Sequence, residues 1–85
     1  MTVIWREHAL DRLADRYVAA DPARRDAIDR AVTYINATLA IDPVQGESRA
    51  RPTQRSWFVF PVSIVFEIFS ADDLVVVQHF AMRRK

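Results

Sequence analysis

The sequence predicts an α+β fold in which an N-terminal strand is followed by an antiparallel helical hairpin, packed on one face of a small, mainly antiparallel β-sheet. The element order is β-α-α-β-β-β. Apolar residues recur at helical spacing over residues 8–19 and 22–41. The last third instead has β-branched and aromatic runs at 57–69 and 74–80, separated by the polar break 70–73. That pattern is typical of antiparallel strands joined by a turn.

Length and composition limit the kind of protein that this can be. Eighty-five residues fit one domain, and so short a chain buries a modest fraction of its surface, so a partner would add stability. With no cysteine and only two histidines, we expect no disulfide, no metal site and no cofactor. Arg6 and Glu7 interrupt the N-terminal apolar residues, and no run approaches the length of a membrane span. We therefore expect a cytoplasmic protein with no membrane partner.

The first strand and the first helix are predicted from residues 2–19. The β-prone run 2–5 is expected to form an edge strand. From His8 to about Ala19, apolar and charged side chains separate onto two sides of a helix. The apolar side consists of Leu10, Leu13 and Tyr17, and the charged side of Arg12, Asp15 and Arg16. We expect the first side to join the core and the second to face water.

The second helix has the clearest pattern in the chain. Asp21 is a candidate N-cap, and Pro22 suits the first helical position, where its missing N–H costs nothing. Asp26 and Arg30 form a favourable i,i+4 pair. Pro43 disfavours the helical conformation at the preceding residue, which ends the helix near residue 41. The apolar positions that should face the sheet are Ile28, Ala31, Val32, Ile35 and Leu39. The short link between the helices predicts a hairpin.

The remaining residues are assigned to a loop and to the later strands. Residues 44–56 contain three arginines and almost nothing to bury, which predicts a loop across the surface. Pro61 cannot donate to a β-ladder, so it marks a tight connection or a bulge between strands 57–60 and 62–69. Alternation predicts that Val62, Ile64, Phe66 and Ile68 face the helices, and that Ser63, Val65, Glu67 and Phe69 form an open face. The mixed chemistry of that face indicates a surface that another molecule covers.

The net charge of +1 hides an uneven distribution. All basic residues of the second half lie in two clusters that flank the predicted strands. The clusters are Arg49, Arg51 and Arg55, and Arg83, Arg84 and Lys85. Such local patches attract an anionic partner, either a polyanion or an acidic protein. Glu67 is placed to pair with an arginine of the loop.

The order and spacing of these features resemble the RelE/ParE toxin superfamily. The residues that carry the resemblance are Trp5, Ala9, Leu13, Tyr17, Asp21-Pro22, the helix end at 41–43, Gly46 and the strand 62–68. It extends from about Ile4 to Arg84, which makes 1–85 a single toxin domain. Residues 45–49, followed by Pro61, are similar to a compact and little-characterised branch.

The resemblance implies the toxin of a type II toxin–antitoxin pair, a class associated with plasmid stabilisation and growth inhibition. A small acidic antitoxin would wrap the sheet, cover its basic residues and form a hetero-oligomer with the toxin. RelE-like members cut messenger RNA in the ribosome, whereas ParE-like members act on DNA gyrase. The resemblance therefore leaves the target open.

Two departures from the RelE-like pattern disfavour cleavage. Cleavage needs cations at the scissile phosphate and a general acid or base within hydrogen-bond reach. RelE-like nucleases resemble one another in carrying an arginine on the third strand, and this chain has Ser63 at that position. They also resemble one another in a C-terminal histidine, and this chain has Ala81 there. His79 lies two positions before that place. A half-buried strand histidine is an alternative interpretation of His79. Trp5, Trp57 and the five phenylalanines are expected in the core rather than on a base-stacking surface.

The candidate site therefore combines residues of the open face with both basic clusters. The catalytic candidates are His79 and Arg84. The binding candidates are Arg49, Arg51, Arg55, Arg83, Lys85, Val65, Glu67 and Phe69. The leading hypothesis is a toxin that binds a protein or the ribosome with impaired or absent nuclease chemistry. An active ribosome-dependent ribonuclease ranks second, because binding a wide area of ribosomal RNA draws on many phosphate contacts and the net charge is only +1. A non-toxic relic that binds protein ranks third.

Overall fold

The computed structural model describes residues 1–83, which form a five-stranded sheet and two helices. The elements are β1 (Thr2–Trp5), α1 (Glu7–Ala19), α2 (Pro22–Ile41), β2 (Glu47–Ser48), β3 (Gln54–Val59), β4 (Val62–Phe69) and β5 (Leu74–Met82). The strand order is β1-β5-β4-β3-β2, with β1 parallel to β5 and the other pairs antiparallel. The predicted α+β class is confirmed, and β1 is an edge strand as expected.

Both helices form where their sequence signals place them. The Asp21 carboxylate accepts a hydrogen bond of 2.8 Å from the backbone N–H of Arg24, which caps α2. Asp26 and Arg30 form the expected ion pair at 2.9 Å on exposed surface. Within residues 1–83, no helix combines the length and the apolar character that crossing a membrane requires.

Arg25 fixes the junction of the hairpin. Its Nε donates to the carbonyl of Tyr17 at 2.9 Å, and its Nη2 donates to the carbonyl of Val18 at 3.0 Å. These carbonyls lie in the last turn of α1, where the i+4 donors run out, and that of Tyr17 also accepts from the backbone N–H of Ala20 at 3.2 Å. The Arg25 side chain of α2 therefore caps the C-terminus of α1 and positions the link between the helices.

The core lies between the hairpin and one face of the sheet. Its fully buried members are Ala9, Ala31, Ile35, Leu39, Val62, Ile64, Phe66, Val75, Val77 and Phe80. The predicted face of β4 is confirmed. Leu10, however, is 46% exposed, so its predicted place in the core is wrong. The helix packs on the sheet through Ala9 and Leu13, and Leu10 lies about 100° around the helix from Ala9.

The segment predicted as a loop, residues 44–56, contains β2 and the start of β3. Glu47 pairs with Ser56, and Ser48 pairs with Arg55. Gly46 permits this approach, because its φ is 65° and a Cβ there would lie 1.9 Å from the carbonyl oxygen of Ser56. Backbone pairing without apolar side chains leaves no hydrophobic pattern. No pattern in the sequence therefore predicts β2. The strand predicted to begin at residue 57 begins three residues earlier, at Gln54.

The connections of β4 position the residues of its open face. Pro61 lies in the tight connection between β3 and β4, as predicted, and the turn before β5 includes Asp73 with φ 53°. Val65 pairs with His79 and Phe66 pairs with Val77, so Gln78 is an extra residue in β5. This β-bulge places both Gln78 and His79 toward the open face.

Candidate binding site on the open sheet face

The open face is the surface of the sheet opposite the helices. Strand register assigns to it Gln54, Ser56 and Phe58 of β3, Ser63, Val65 and Glu67 of β4, and Val76, His79 and Ala81 of β5, and the bulge adds Gln78. Side chains along a strand alternate between the two faces of the sheet. The residues that pack into the core therefore determine which residues lie on the open face. The site therefore follows from the packing on the other side of the sheet.

A groove that encloses about 370 Å³ lies on this face. Ser56 and Phe58 of β3, together with Ser63 and Val65 of β4, line it from the sheet. The further lining residues are Gly46, Glu47, Arg49, Trp57 and Arg83. The groove thus combines two guanidinium groups, two hydroxyl groups and an apolar surface, and one carboxylate partly offsets its positive charge.

Arg83 is held against the aromatic edge of the groove. Its guanidinium carbon lies 5.1 Å from the centroid of the Phe58 ring, and its backbone N–H donates to the carbonyl of Pro61 at 2.9 Å. Phe58 and Phe60 are 39% and 55% exposed, and their ring centroids lie 6.3 Å apart. The expectation that the tryptophans and phenylalanines lie in the core is wrong for these two. They are next to the turn at Pro61, and Phe60 lines a pocket with Asp21 and Ala27 near the start of α2.

Glu67 is the centre of a polar network beside the groove. It is 8% exposed, and its Oε1 accepts hydrogen bonds of 2.9 Å from Arg51 and from Gln78. Its Oε2 accepts one of 2.9 Å from the Thr53 hydroxyl, and Gln54 donates in turn to Gln78. These hydrogen bonds, led by that from Thr53, lower the pKa of Glu67, although partial desolvation opposes the shift. The charge of Arg51 also lowers this pKa, so the carboxylate is ionised at neutral pH.

The loop arginines have three different environments. Arg49 lines the groove, whereas Arg51 forms the ion pair with Glu67 that the sequence predicted. Arg55 donates to the carbonyls of Gln45 and Gly46 and to the Ser48 hydroxyl, at 2.7 to 3.1 Å. Its register partner is the core residue Phe66, so Arg55 points to the other side of the sheet. The contacts of Arg55 disfavour its predicted binding role.

His79 is exposed on the open face but does not line the groove. Its ring lies edge-on to that of His8 from α1, with the centroids 6.0 Å apart. Arg83 is four residues further along the chain, which corresponds to about 13 Å between Cα atoms at the rise of a strand. Ser63 and Ala81, the two departures from the RelE-like pattern, are direct cross-strand partners between these ends. No charged side chain stands at either position.

Only part of the predicted site comes together in the groove. Arg49, Arg83 and Val65 line it, and Arg51 and Glu67 lie in the adjacent network. Phe69 is half-buried at the far end of β4. Arg84 and Lys85 lie outside the described residues. Residues 1–83 contain no cluster of three or more histidine, aspartate or glutamate side chains that could hold a metal.

Five residues that line the groove were predicted neither as site residues nor on the open face. These are Gly46, Glu47, Ser56, Trp57 and Phe58. Extending the alternation of β3 back to Gln54 would have placed Ser56 and Phe58 on the open face. Glu47 belongs to the two-residue strand β2, for which no local signal exists.

Comparisons with known proteins show similarity to solved structures alone: no protein-family model and no curated protein matches the sequence. A chain of the RelBE2 toxin–antitoxin complex from Mycobacterium tuberculosis is 17% identical and superposes with a TM-score of 0.73, over 99% of this chain and 92% of that one. A chain of the chromosomal ParDE system from P. aeruginosa is 16% identical, with a TM-score of 0.73 over 99% and 97% of the two chains. The isolated E. coli RelE toxin is 12% identical, with a TM-score of 0.59 over 98% and 84%. The RelE/ParE-type fold suggested by the sequence is confirmed.

Proposed function

Given this RelE/ParE-type toxin fold, we propose that the chain is the toxin of a type II toxin–antitoxin pair. It acts in the bacterial cytoplasm, inhibits growth by binding gyrase or the ribosome, and is neutralised by a small acidic antitoxin. The observation that carries the proposal is the groove of the open face, where Arg49 and Arg83 stand beside Phe58 and Val65. The fold is one that this chain shares with chains of two toxin–antitoxin complexes.

The chemistry of the groove suits an acidic amphipathic segment of the antitoxin. Apolar side chains of the segment would pack on Phe58 and Val65 and supply most of the affinity. Its carboxylates would pair with Arg49 and Arg83, which speeds the encounter and fixes the orientation. The antitoxin would thereby cover the surface that the toxin needs for its target.

Binding to the target, rather than cleavage, accounts best for the arrangement of charges. Ser63 and Ala81 leave the centre of the face without a cation or a base. His79 lies outside the groove that holds both arginines. Loss of one electrostatic contact to a developing phosphate charge typically costs on the order of 10²–10³ in rate. Any residual cleavage should therefore be slow.

One observation favours a second candidate, a ribosome-dependent endoribonuclease of the RelE type. His79 is exposed on the open face next to His8, so an imidazole is accessible for proton transfer. The sequence suggested His79 as the base of that ribonuclease, with Arg55, Arg83 and Arg84 as its cations. Of these arginines, Arg83 lines the groove of the open face, and Arg84 lies outside the described residues. A relic that binds an antitoxin but lacks toxicity is the third alternative.

The test is induced expression of the chain with and without the neighbouring gene, which is expected to encode the small acidic antitoxin. Growth, DNA supercoiling and messenger cleavage are measured in the same cells. We expect growth arrest that the neighbour's product relieves. The double variant Arg49→Ala/Arg83→Ala should reduce toxicity, and His79→Ala should not. Arg24→Ala removes an exposed cation of α2 and serves as the control.

The alternatives give distinct results in the same experiment. Loss of toxicity in His79→Ala, with folding and antitoxin binding intact, would make the ribonuclease the leading function. Absence of growth arrest in cells that contain soluble protein would support the relic. If Arg24→Ala weakened toxicity as much as the double variant, the groove would not be the site of target binding.

A further inference from the structure

The outer side of the helical hairpin carries an exposed apolar ridge on α1. The ridge consists of Leu10, Ala14 and Val18, which repeat every four residues and therefore lie one above the other. Leu10 in the first turn of α1 is 46% exposed and Val18 in its last turn is 73% exposed, although both side chains are large and apolar. The core does not use this ridge, and the open sheet face lies on the other side of the molecule.

The ridge borders a groove between the two helices that encloses about 530 Å³. The lining is apolar except for two carboxylates and the Tyr17 ring, and consists of Leu10, Asp11, Leu13, Ala14, Tyr17, Val18, Ile28, Asp29 and Val32. Tyr17 donates its hydroxyl to Asp29 at 3.1 Å. This hydrogen bond and, to a lesser degree, the nearby negative charges raise the pKa of Tyr17. The two charged residues that line the groove, Asp11 and Asp29, are both acidic.

An acidic ridge runs beside the apolar one along α1. Glu7, Asp11 and Asp15 also repeat every four residues, and each is exposed. Among the ion pairs of residues 1–83, none involves these three carboxylates. Arg25, at the end of the groove, already donates to the carbonyls of Tyr17 and Val18. The negative charge along the groove is thus available to a partner.

We propose that this hairpin groove is a second docking surface, and that its occupant is a basic amphipathic helix of a partner protein. A cleft between two helices with ridges at i,i+4 spacing accepts the apolar face of a third helix. Lysine or arginine residues along the edge of that helix would meet the acidic ridge. The charge of the ridge excludes an acidic segment, so the antitoxin proposed for the open sheet face would leave this groove free. The inference rests on the hairpin and does not depend on the proposed function.

The same charges disfavour two other occupants. In an antiparallel two-fold pair of copies, the acidic ridge of one copy would face that of the other, and like charges at an interface are unfavourable. An anionic membrane surface would be repelled in the same way. A basic helix satisfies both the apolar ridge and the acidic one.

The experiment uses the full chain and two labelled synthetic peptides of about 18 residues, long enough to be helical. One carries leucines at i, i+3, i+4 and i+7 flanked by lysines, and the other has glutamate in place of each lysine. Fluorescence anisotropy at low salt should show that the lysine peptide binds at least about tenfold more tightly. Val18→Asp should weaken this binding by at least about tenfold, whereas Val44→Asp, an exposed valine outside the groove, should leave it unchanged.

Charge reversal separates docking in the groove from general attraction to a cationic peptide. The variant Asp11→Lys/Asp15→Lys should lose the preference for the lysine peptide, and a thermal melt verifies that each variant is folded. Equal binding of the two peptides, or equal loss in Val18→Asp and Val44→Asp, would overturn the proposal. If neither peptide bound and the chain instead self-associated through Val18 in sedimentation, a second copy would be the occupant and the proposal would be wrong.

Discussion

At the scale of single residues, the polar side of the open face depends on Glu67. Its carboxylate accepts hydrogen bonds from Arg51, Thr53 and Gln78, and so connects the loop before β3 to the bulge of β5. The residue is nearly buried, yet every one of these donors is positioned to favour its ionised form. This network holds the segment that leads from Arg49 to β3.

The lowered pKa of Glu67 predicts how stability depends on pH. A carboxyl whose pKa is lower in the folded state stabilises that state above its unfolded pKa, and this contribution disappears as the pH falls through the folded value. We expect the melting temperature to decrease in this acidic range, and Glu67→Gln to lower it at neutral pH and to flatten the dependence. Thermal melts at a series of pH values, with the exposed Glu47→Gln as control, check this. Parallel pH profiles of the wild type and Glu67→Gln would contradict it.

At the scale of elements, α2 joins the hairpin to the sheet. Ile35 is fully buried between the helix and the strands, and the Trp5 indole N–H donates to Asn36 at 2.8 Å, which ties β1 to the same helix. Because the apolar stripe of α2 faces the sheet, its position decides which face of each strand is covered. The open face exists because α2 packs on the opposite one.

This arrangement predicts that Ile35→Asp unfolds the chain. An unpaired charge in the core should cost several kcal/mol, which is a large part of the stability of so small a domain. Circular dichroism and urea titration measure the loss. Thr33→Asp places the same charge on the exposed side of α2 and should change stability little. A cooperatively melting Ile35→Asp variant with the wild-type midpoint would show that this side of α2 does not face the core.

At the scale of the whole molecule, the two surfaces of this small domain differ in charge. The groove of the open face is lined by Arg49 and Arg83, whereas the hairpin groove on the other side is lined by Asp11 and Asp29. The net charge of +1 conceals this separation. The two proposed docking surfaces therefore favour partners of opposite charge.

The charge of the open face predicts how salt affects binding of the neighbouring gene's product. Exposed charges accelerate the encounter and are screened by salt, whereas packed apolar contacts determine how long the complex lasts. Raising the salt concentration should slow association much more than it speeds dissociation, and Phe58→Ala should mainly speed dissociation. Surface plasmon resonance measures both rates. Binding that responded neither to salt nor to Phe58→Ala would place the antitoxin elsewhere.

The sequence by itself determined the elements whose signals are local. The capping of α2 by Asp21, the burial of Ala31, Ile35 and Leu39, the turn at Pro61 and the alternation of β4 each depend on residues within a few positions of one another, and the structure confirms them. The predicted place of Val32 on the sheet is wrong, because this half-buried side chain lines the hairpin groove. The pairing of Glu67 with a loop arginine was also predictable. A carboxylate on a mixed strand face needs a partner, and the loop supplied the nearest cations.

Tertiary structure alone decided which arginines share a site. Arg49, Arg51 and Arg55 belong to one cluster in the sequence. In the structure Arg49 lines the groove, Arg51 pairs with Glu67, and Arg55 donates to the backbone before β2. Their roles depend on the pairing of β2 with β3, which forms through backbone hydrogen bonds and the close approach at Gly46. The separation of His79 from the groove likewise depends on strand register. Main-chain pairing and register are contacts between distant residues, so no local pattern of side chains encodes them.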